Sequence, residues 1–131
     1  MAQDNVELIK GGFDALKENG VEGLLPLIAQ DFEVTTPAAL ASEPDTYRGP
    51  EGIRRYFDSF YEVMEDIYFE GHEFIAVGGK VVVDFTLHAR GRTTGIEAGQ
   101  RAFQVWTARG DKATRLEVFV TREEAMAAAA A

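Results

Sequence analysis

Few side chains in this sequence are equipped for proton transfer or metal binding near neutral pH. His72 and His88 are the only histidines. They fall on different predicted strands with no third ligand at a metal-binding spacing, so neither a metal nor a cofactor is expected. His88 shares a strand face with Asp84 and Thr86, which suits a polar surface contact better than a catalytic base. Ser42 and Ser59 stand in no nucleophile motif, and no Gly-rich phosphate cradle is present. Arg109-Gly110-Asp111 spells an adhesion tripeptide, but Gly-Asp between two alternating segments is ordinary hairpin chemistry. Gln104 and Trp106, two residues apart, share one strand face. There they either line a ligand site or belong to the core, the amide then serving a backbone group. Tyr56, Phe57, Phe60 and Met64 recur at helical spacing as an apolar wall, with Tyr56 its best-placed member for touching a ligand. Tyr47 and Arg48 precede Gly49 in a turn that closes either a cavity mouth or nothing but itself. These residues offer recognition of a polar group in apolar surroundings more readily than a reaction.

The elements that position them divide into a helical first half and a strand-rich second half. Asp4 and Glu7 form a capping-box pattern ahead of Val6, Ile9, Phe13 and Leu16, predicting a helix that Asn19-Gly20 ends. Leu24, Leu25, Leu27 and Ile28 suggest a short second helix, with Pro26 tolerable in its first turn. Asp31 to Thr36 alternates as a strand, and Pro37 to Pro44 reads as a loop. Pro50 opens a third helix whose apolar face runs from Ile53 to Met64. From Tyr68 the period becomes two. Turn signals at Gly78-Gly79, Gly91 to Gly95 and Gly110-Asp111 predict strands over 68–77, 80–90, 97–109 and 112–121. The fold class is α+β, with helices packed on one face of an antiparallel sheet. Val81, Val83, Phe85 and Leu87 should face the helices, as should Leu116, Val118 and Val120, while Val82, Asp84, Thr86 and His88 face away. The third strand is apolar on both faces. With all the helices on one side, the second cover is expected to be another copy of the sheet, a homodimer burying Phe103, Val105 and Phe119. Arg122 to Ala131 reads either as a short helix or, since the Ala run after Met126 has no apolar stripe to bury, as a tail over 123–131 that frays or is disordered.

The chain has 131 residues, a length suited to one domain over 1–131. Its 46% apolar and 27% charged content argues against disorder. It has no Cys, so packing alone must stabilise it, and a reducing, cytoplasmic setting is expected. Thirteen Lys and Arg against 22 Asp and Glu give a net charge of −9, unfavourable for nucleic acid or an anionic membrane surface. The amino-terminal segment lacks a signal-peptide pattern, and no apolar run is long enough for a membrane span.

Three stretches in order, NVELIKGGFDALKENGVEGLLPLIAQDFEV, YRGPEGIRRYF and AFQVWTARGDKATRLEV, resemble the SnoaL-like and ketosteroid isomerase-like members of the nuclear transport factor 2-like superfamily. The resemblance covers about residues 4 to 124. It implies a cone: a curved antiparallel sheet wrapped around three N-terminal helices and enclosing a mostly apolar cavity, usually in a dimer. Members isomerise steroids, cyclise polyketides, open epoxides or dehydrate substrates, and others only bind. In the isomerases an Asp before Pro is the base, and the matching residue here is Thr36. A Tyr on the first helix and a protonated Asp on the third strand stabilise the enolate, and Phe13 and Gln104 stand in those places. The Trp-His-Asp-Pro of many SnoaL-like relatives is replaced by Val34-Thr35-Thr36-Pro37. A Thr hydroxyl is no base near neutral pH, so isomerase chemistry is not expected. What the resemblance leaves is a cavity for a small hydrophobic molecule, lined by Phe13, Thr36, Tyr56, Phe60, Phe85, Gln104, Trp106 and Val118, with Gln104 and Thr36 orienting its polar group. Two alternatives stay open: an isomerase, cyclase or dehydratase using Glu33 or Asp45, and a non-catalytic dimeric interaction module.

Overall fold

A computed structural model describes residues 2–35 and 46–131 of the chain. Helix α1 runs Ala2–Asn19, starting ahead of the anticipated cap at Asp4. Val6 and Ile9 of its stripe are buried, and Phe13 and Leu16 half-buried. A four-residue helix α2, Val21–Leu24, passes into a 3-10 turn over Leu25–Leu27 that accommodates Pro26 near its start. Strand β1 is Ile28–Thr35 and β2 is Thr46–Arg48. The expected loop from Pro37 to Pro44 lies outside the described residues, as does Thr36. Helix α3 spans Gly49–Tyr61, and the strands β3 (Met64–Val77), β4 (Lys80–Gly91), β5 (Glu97–Arg109) and β6 (Lys112–Phe119) follow.

The YRGPEG stretch proves to be structural. Tyr47 is buried against Tyr56, with ring centroids 5.6 Å apart, and the Arg55 guanidinium lies 5.0 Å over its ring. Gly49 takes φ +69°, a left-handed conformation that hands the chain to Pro50 in the first turn of α3. A Cβ on Gly52 would stand 2.9 Å from the Tyr47 carbonyl carbon, so this close crossing of helix and strand requires glycine. Tyr47 and Arg48 therefore seat α3 on the sheet.

The sheet has the order β2-β1-β6-β5-β4-β3 and is antiparallel throughout except between β1 and β6, which run parallel. A parallel neighbour needs a long crossover, supplied here by β2, α3 and the strands β3 to β5. The hairpin turns fall where Gly78-Gly79, Gly91 to Gly95 and Gly110-Asp111 predicted them. Register shifts in β3, between Glu65 and Tyr68 and between Gly71 and Glu73, bend that long strand and help to curve the sheet. Two expectations for the third helix and its neighbour need correcting. α3 ends at Tyr61, so Met64 opens β3 instead of completing the helical stripe; Arg92 N–H donates to Val63 O at 3.1 Å, drawing this segment into the sheet. β2 is a strand of only three residues, too short to show a period.

Strand parity places the core as expected except at Val120, which is 43% exposed because β6 ends at Phe119, before the expected 121. Val81, Val83, Phe85, Leu116 and Val118 join Val6, Ile9, Phe32 and Ile53 in the main core beneath α1 and α3. Val82, Phe103 and Val105 lie on the opposite face. Part of that face is covered within the chain: Arg122–Ala130 form helix α4, whose Ala125 and Ala129 pack on Val82, Phe103 and Val105. Ala125 and Val105 are both 0% exposed. The physical reason is capping combined with small size. The Thr121 hydroxyl accepts from the Glu124 amide at 3.2 Å and donates to the Glu124 carboxylate at 2.9 Å. Alanine methyls one turn apart then let the helix lie close to the sheet without large side chains. Phe103 and Val105 thus have a cover within the chain, while Phe119 stays partly exposed beside it. Among the described residues no helix is long and apolar enough to cross a membrane.

Candidate functional site

The inner side of the sheet and the helices enclose an apolar cavity. It is bounded by Leu8, Ile9, Gly12, Phe13 and Leu16 of α1, by Leu24, Leu27 and Ile28, by Tyr56 and Phe57 of α3, by Phe69 of β3, by Gln104 and Trp106 of β5, and by Ala113 and Leu116 of β6. Of the residues expected to contact a ligand, the fold brings together Phe13, Tyr56, Gln104 and Trp106 on this lining. The other three described ones lie elsewhere. Phe60 packs edge-on against Tyr56 and Phe69 at 5.2 and 6.4 Å, Phe85 leans on Phe69 at 5.9 Å, and Val118 is buried beside Gln104 in the strand register. Their faces were assigned correctly, but neighbouring rings and strands fill the space in front of them. The fourth, Thr36, lies outside the described residues. Phe69, Leu16, Leu24 and Leu27 were not foreseen as lining; their signals were the inward parity of β3, the stripe of α1 and the leucine spacing around Pro26.

Gln104 is 5% exposed and is the only carboxamide among the described residues of the lining. It and Trp106 are on the same face because they are two residues apart on β5. The Trp106 indole Nε1–H donates to Gln104 Oε1 at 2.8 Å. Because an indole nitrogen can only donate, this bond fixes which way the amide points. The oxygen is engaged, and the NH2 group has no partner among the described residues. Phe32 supports the pair from behind, its ring 6.1 Å from that of Trp106. Among the described residues no carboxylate, His or Cys lines the cavity. Glu33 sits on the outward parity of β1 and meets Arg48 at 3.6 Å, while Asp45 lies outside the described residues. Room inside is limited: about 30 Å³ is free to the centre of a water molecule, enough for one or two waters.

The ionisable groups gather on the other face. Asp84 is buried there, and Arg101 clamps it through Nε–Oδ1 at 2.9 Å and a second bond to Oδ2. The hydrogen bonds from Arg101, opposed by desolvation, hold the Asp84 carboxyl below the ordinary carboxylate range, and the same bonds raise Arg101. Since the folded-state value lies below the unfolded one of about 3.9, the pair stabilises the fold above that pH. The contribution is lost as pH falls through the folded value. Asp84→Asn is therefore expected to cost about 1 kcal/mol at pH 7, the exposed side chain of Arg101 moderating the loss. It should also make stability less sensitive to pH below 4. Urea midpoints at pH 7 and pH 3 check this; an undiminished acid dependence in the variant would refute it. His72 Nε2 lies 2.7 Å from Thr86 Oγ1, and His88 meets Glu70 at 2.8 Å while stacking on Tyr68 at 4.4 Å. Both histidines serve cross-strand contacts, and among the described residues no group of three His, Cys, Asp or Glu is disposed to hold a metal.

Comparison with known proteins agrees with the fold. No curated protein matches the sequence. A Burkholderia pseudomallei NTF2-like protein of unknown function superposes with a TM-score of 0.79 at 19% identity over 98% of each chain. TerC, co-crystallised with polyporic acid, gives a TM-score of 0.79 at 25% identity over 98% of this chain and 99% of its own. A putative SnoaL-like polyketide cyclase from Jannaschia sp. gives 0.75 at 15% identity, with 98% and 93% covered. The sequence model of the SnoaL-like domain matches residues 9–116, from the buried stripe of α1 to the middle of β6. The segment that forms the helices, the curved sheet and the cavity between them is thus the segment that defines the domain, and the chain belongs to the SnoaL-like family.

Proposed function

We propose that this protein binds a small, mostly apolar molecule that bears a hydrogen-bond-accepting oxygen, seated in the cavity with that oxygen on the Gln104 amide. The observation that carries the reading is the Trp106–Gln104 bond. It commits the amide oxygen and leaves two N–H donors as the uncommitted polar group of an otherwise greasy lining. The amide NH2 keeps some access to the space in front of it, where an incoming carbonyl oxygen accepts from it. The co-crystallisation of TerC with polyporic acid supports small-molecule binding on this fold. Binding is favoured over an isomerase, cyclase or dehydratase role because the described lining supplies a donor but no base. A ligand larger than a couple of waters must displace half-buried lining side chains, of which Phe13, Leu16 and Phe69 stand nearest the surface.

Acetophenone and ethylbenzene test this directly, being nearly equal in shape and differing in the oxygen. Titrations followed through the indole N–H resonance of Trp106, the only Trp, should show Gln104→Leu weakening acetophenone by about 1–2 kcal/mol, or roughly 5- to 30-fold. Ethylbenzene should be unaffected. Equal affinities of wild type and variant for acetophenone would overturn the reading.

A further inference from the structure

The cavity does not end at its aromatic rim. Phe13 of α1 and Phe69 of β3 line the inner cavity and also border two open hollows outside it. One is a vestibule of about 270 Å³ walled by Leu16, Lys17, Tyr61, Ile67 and Tyr68. The other is a groove of about 420 Å³ between α1 and β3, where Lys10, Lys17, Asp14 and Glu70 stand around Phe74. The rings of Phe13 and Phe74 meet edge-to-face at 5.3 Å in front of Gly71, where a Cβ would lie 2.6 Å from the Phe74 ring and 3.5 Å from that of Phe13. The absence of a side chain at Gly71 gives these rings their space. Displacing Phe13 and Phe69 would join the small inner cavity to outer hollows large enough for most of a ligand.

The charge in the vestibule has one sign. Among the described residues Lys17 is the only charged side chain on its wall, and none forms an ion pair with it. The neighbouring carboxylates do not neutralise it: Glu70 is engaged with His88, and Asp14 lies outside ion-pair distance. On a chain of net charge −9, a cation without an ion-pair partner beside the entrance to an apolar cavity suits an anion.

We propose that cavity and vestibule form one elongated site for an amphipathic monoanion, with the apolar body and acceptor oxygen inside on Gln104 and a carboxylate at the mouth on Lys17. This rests on the cavity reading above and adds the ligand's charge and length. Lys17 is also in the last turn of α1, where any cation favours the helix dipole. The test must therefore separate ligand charge from stability.

The probes are ω-benzoyl carboxylates with two to six methylenes between ketone and acid, each paired with its neutral primary amide. Wild type should bind the best-fitting acid at least threefold more tightly than its amide at low ionic strength, and the preference should fade in 0.5 M salt. Lys17→Gln should weaken the acid about 3- to 10-fold while changing the amide less than 2-fold, and Lys17→Arg should restore the acid. Gln104→Leu should weaken acid and amide alike. If Lys17→Gln changes acid and amide equally while Gln104→Leu weakens both, the anion site is refuted and the cavity reading stands. If Gln104→Leu changes neither compound, the cavity reading falls, and the elongated site falls with it.

Discussion

Phe32→Ala is expected to lower the free energy of unfolding by about 3–5 kcal/mol, the largest effect of any single substitution considered for this protein. Phe32 is 0% exposed, midway along β1, with its ring beside that of Trp106. β1 joins β2 to β6, so its inward side chains hold together parts of the sheet that are distant in sequence. Truncating the ring removes its burial and leaves a void that neighbouring strands cannot close without moving. A domain of this size has about 5–15 kcal/mol of stability in total, so the variant should be close to its threshold at 37 °C. Urea titration followed by Trp106 emission measures the loss and reports the void in the same experiment, through altered emission of the folded state. A loss below 1 kcal/mol would mean that β1 does not anchor the core.

Ending the chain after Thr121 is expected to cost about 2–4 kcal/mol and to make the protein self-associate. Helix α4 presents Ala125 and Ala129 to Val82, Phe103 and Val105, and Lys80 Nζ reaches the carbonyl of Ala128 at 3.4 Å. Without the helix, two valines and a phenylalanine become accessible on one face of the sheet. Each fully buried side chain of this kind contributes about 1.5–3 kcal/mol, of which α4 accounts for part. An apolar patch uncovered in this way favours association. Sedimentation velocity at several concentrations, with urea melts of both forms, tests the two parts. A truncated chain that sediments independently of concentration with an unchanged midpoint would show that α4 covers nothing of consequence. The expected dimer through Phe103 and Val105 can thus be sought in the truncated chain, where those residues are uncovered.

Much of the fold could be read from local pattern. The helix stripe of α1, Pro50 in the first turn of α3 and the three hairpin turns all lie where spacing predicted them. The division of β4, β5 and β6 into inward and outward sets also held, since alternation along a strand depends only on backbone geometry. Gln104 and Trp106 could be placed together for the same reason. Other features left a weaker trace. A stripe of Ala has little hydrophobic contrast, so pattern alone left Arg122 to Ala131 open between a short helix and a fraying tail, although Thr121 and Glu124 mark the start of α4. The three residues of β2 are too few for any period.

What the sequence by itself determined is the identity and face of each residue along its own element, and hence the apolar character of the cavity wall and the presence of one amide on it. Only the tertiary structure decided that β1 lies parallel beside β6, that α4 covers the outer face, and that Trp106 takes the oxygen of Gln104 and leaves its NH2 free. It also decided that the cavity is small, with Phe13 and Phe69 standing between it and a vestibule bearing Lys17. The reason is range. Backbone periodicity is set by neighbours a few positions away in the chain, whereas a cavity's volume and the pairing of a side-chain amide depend on how rings from separate helices and strands pack against one another.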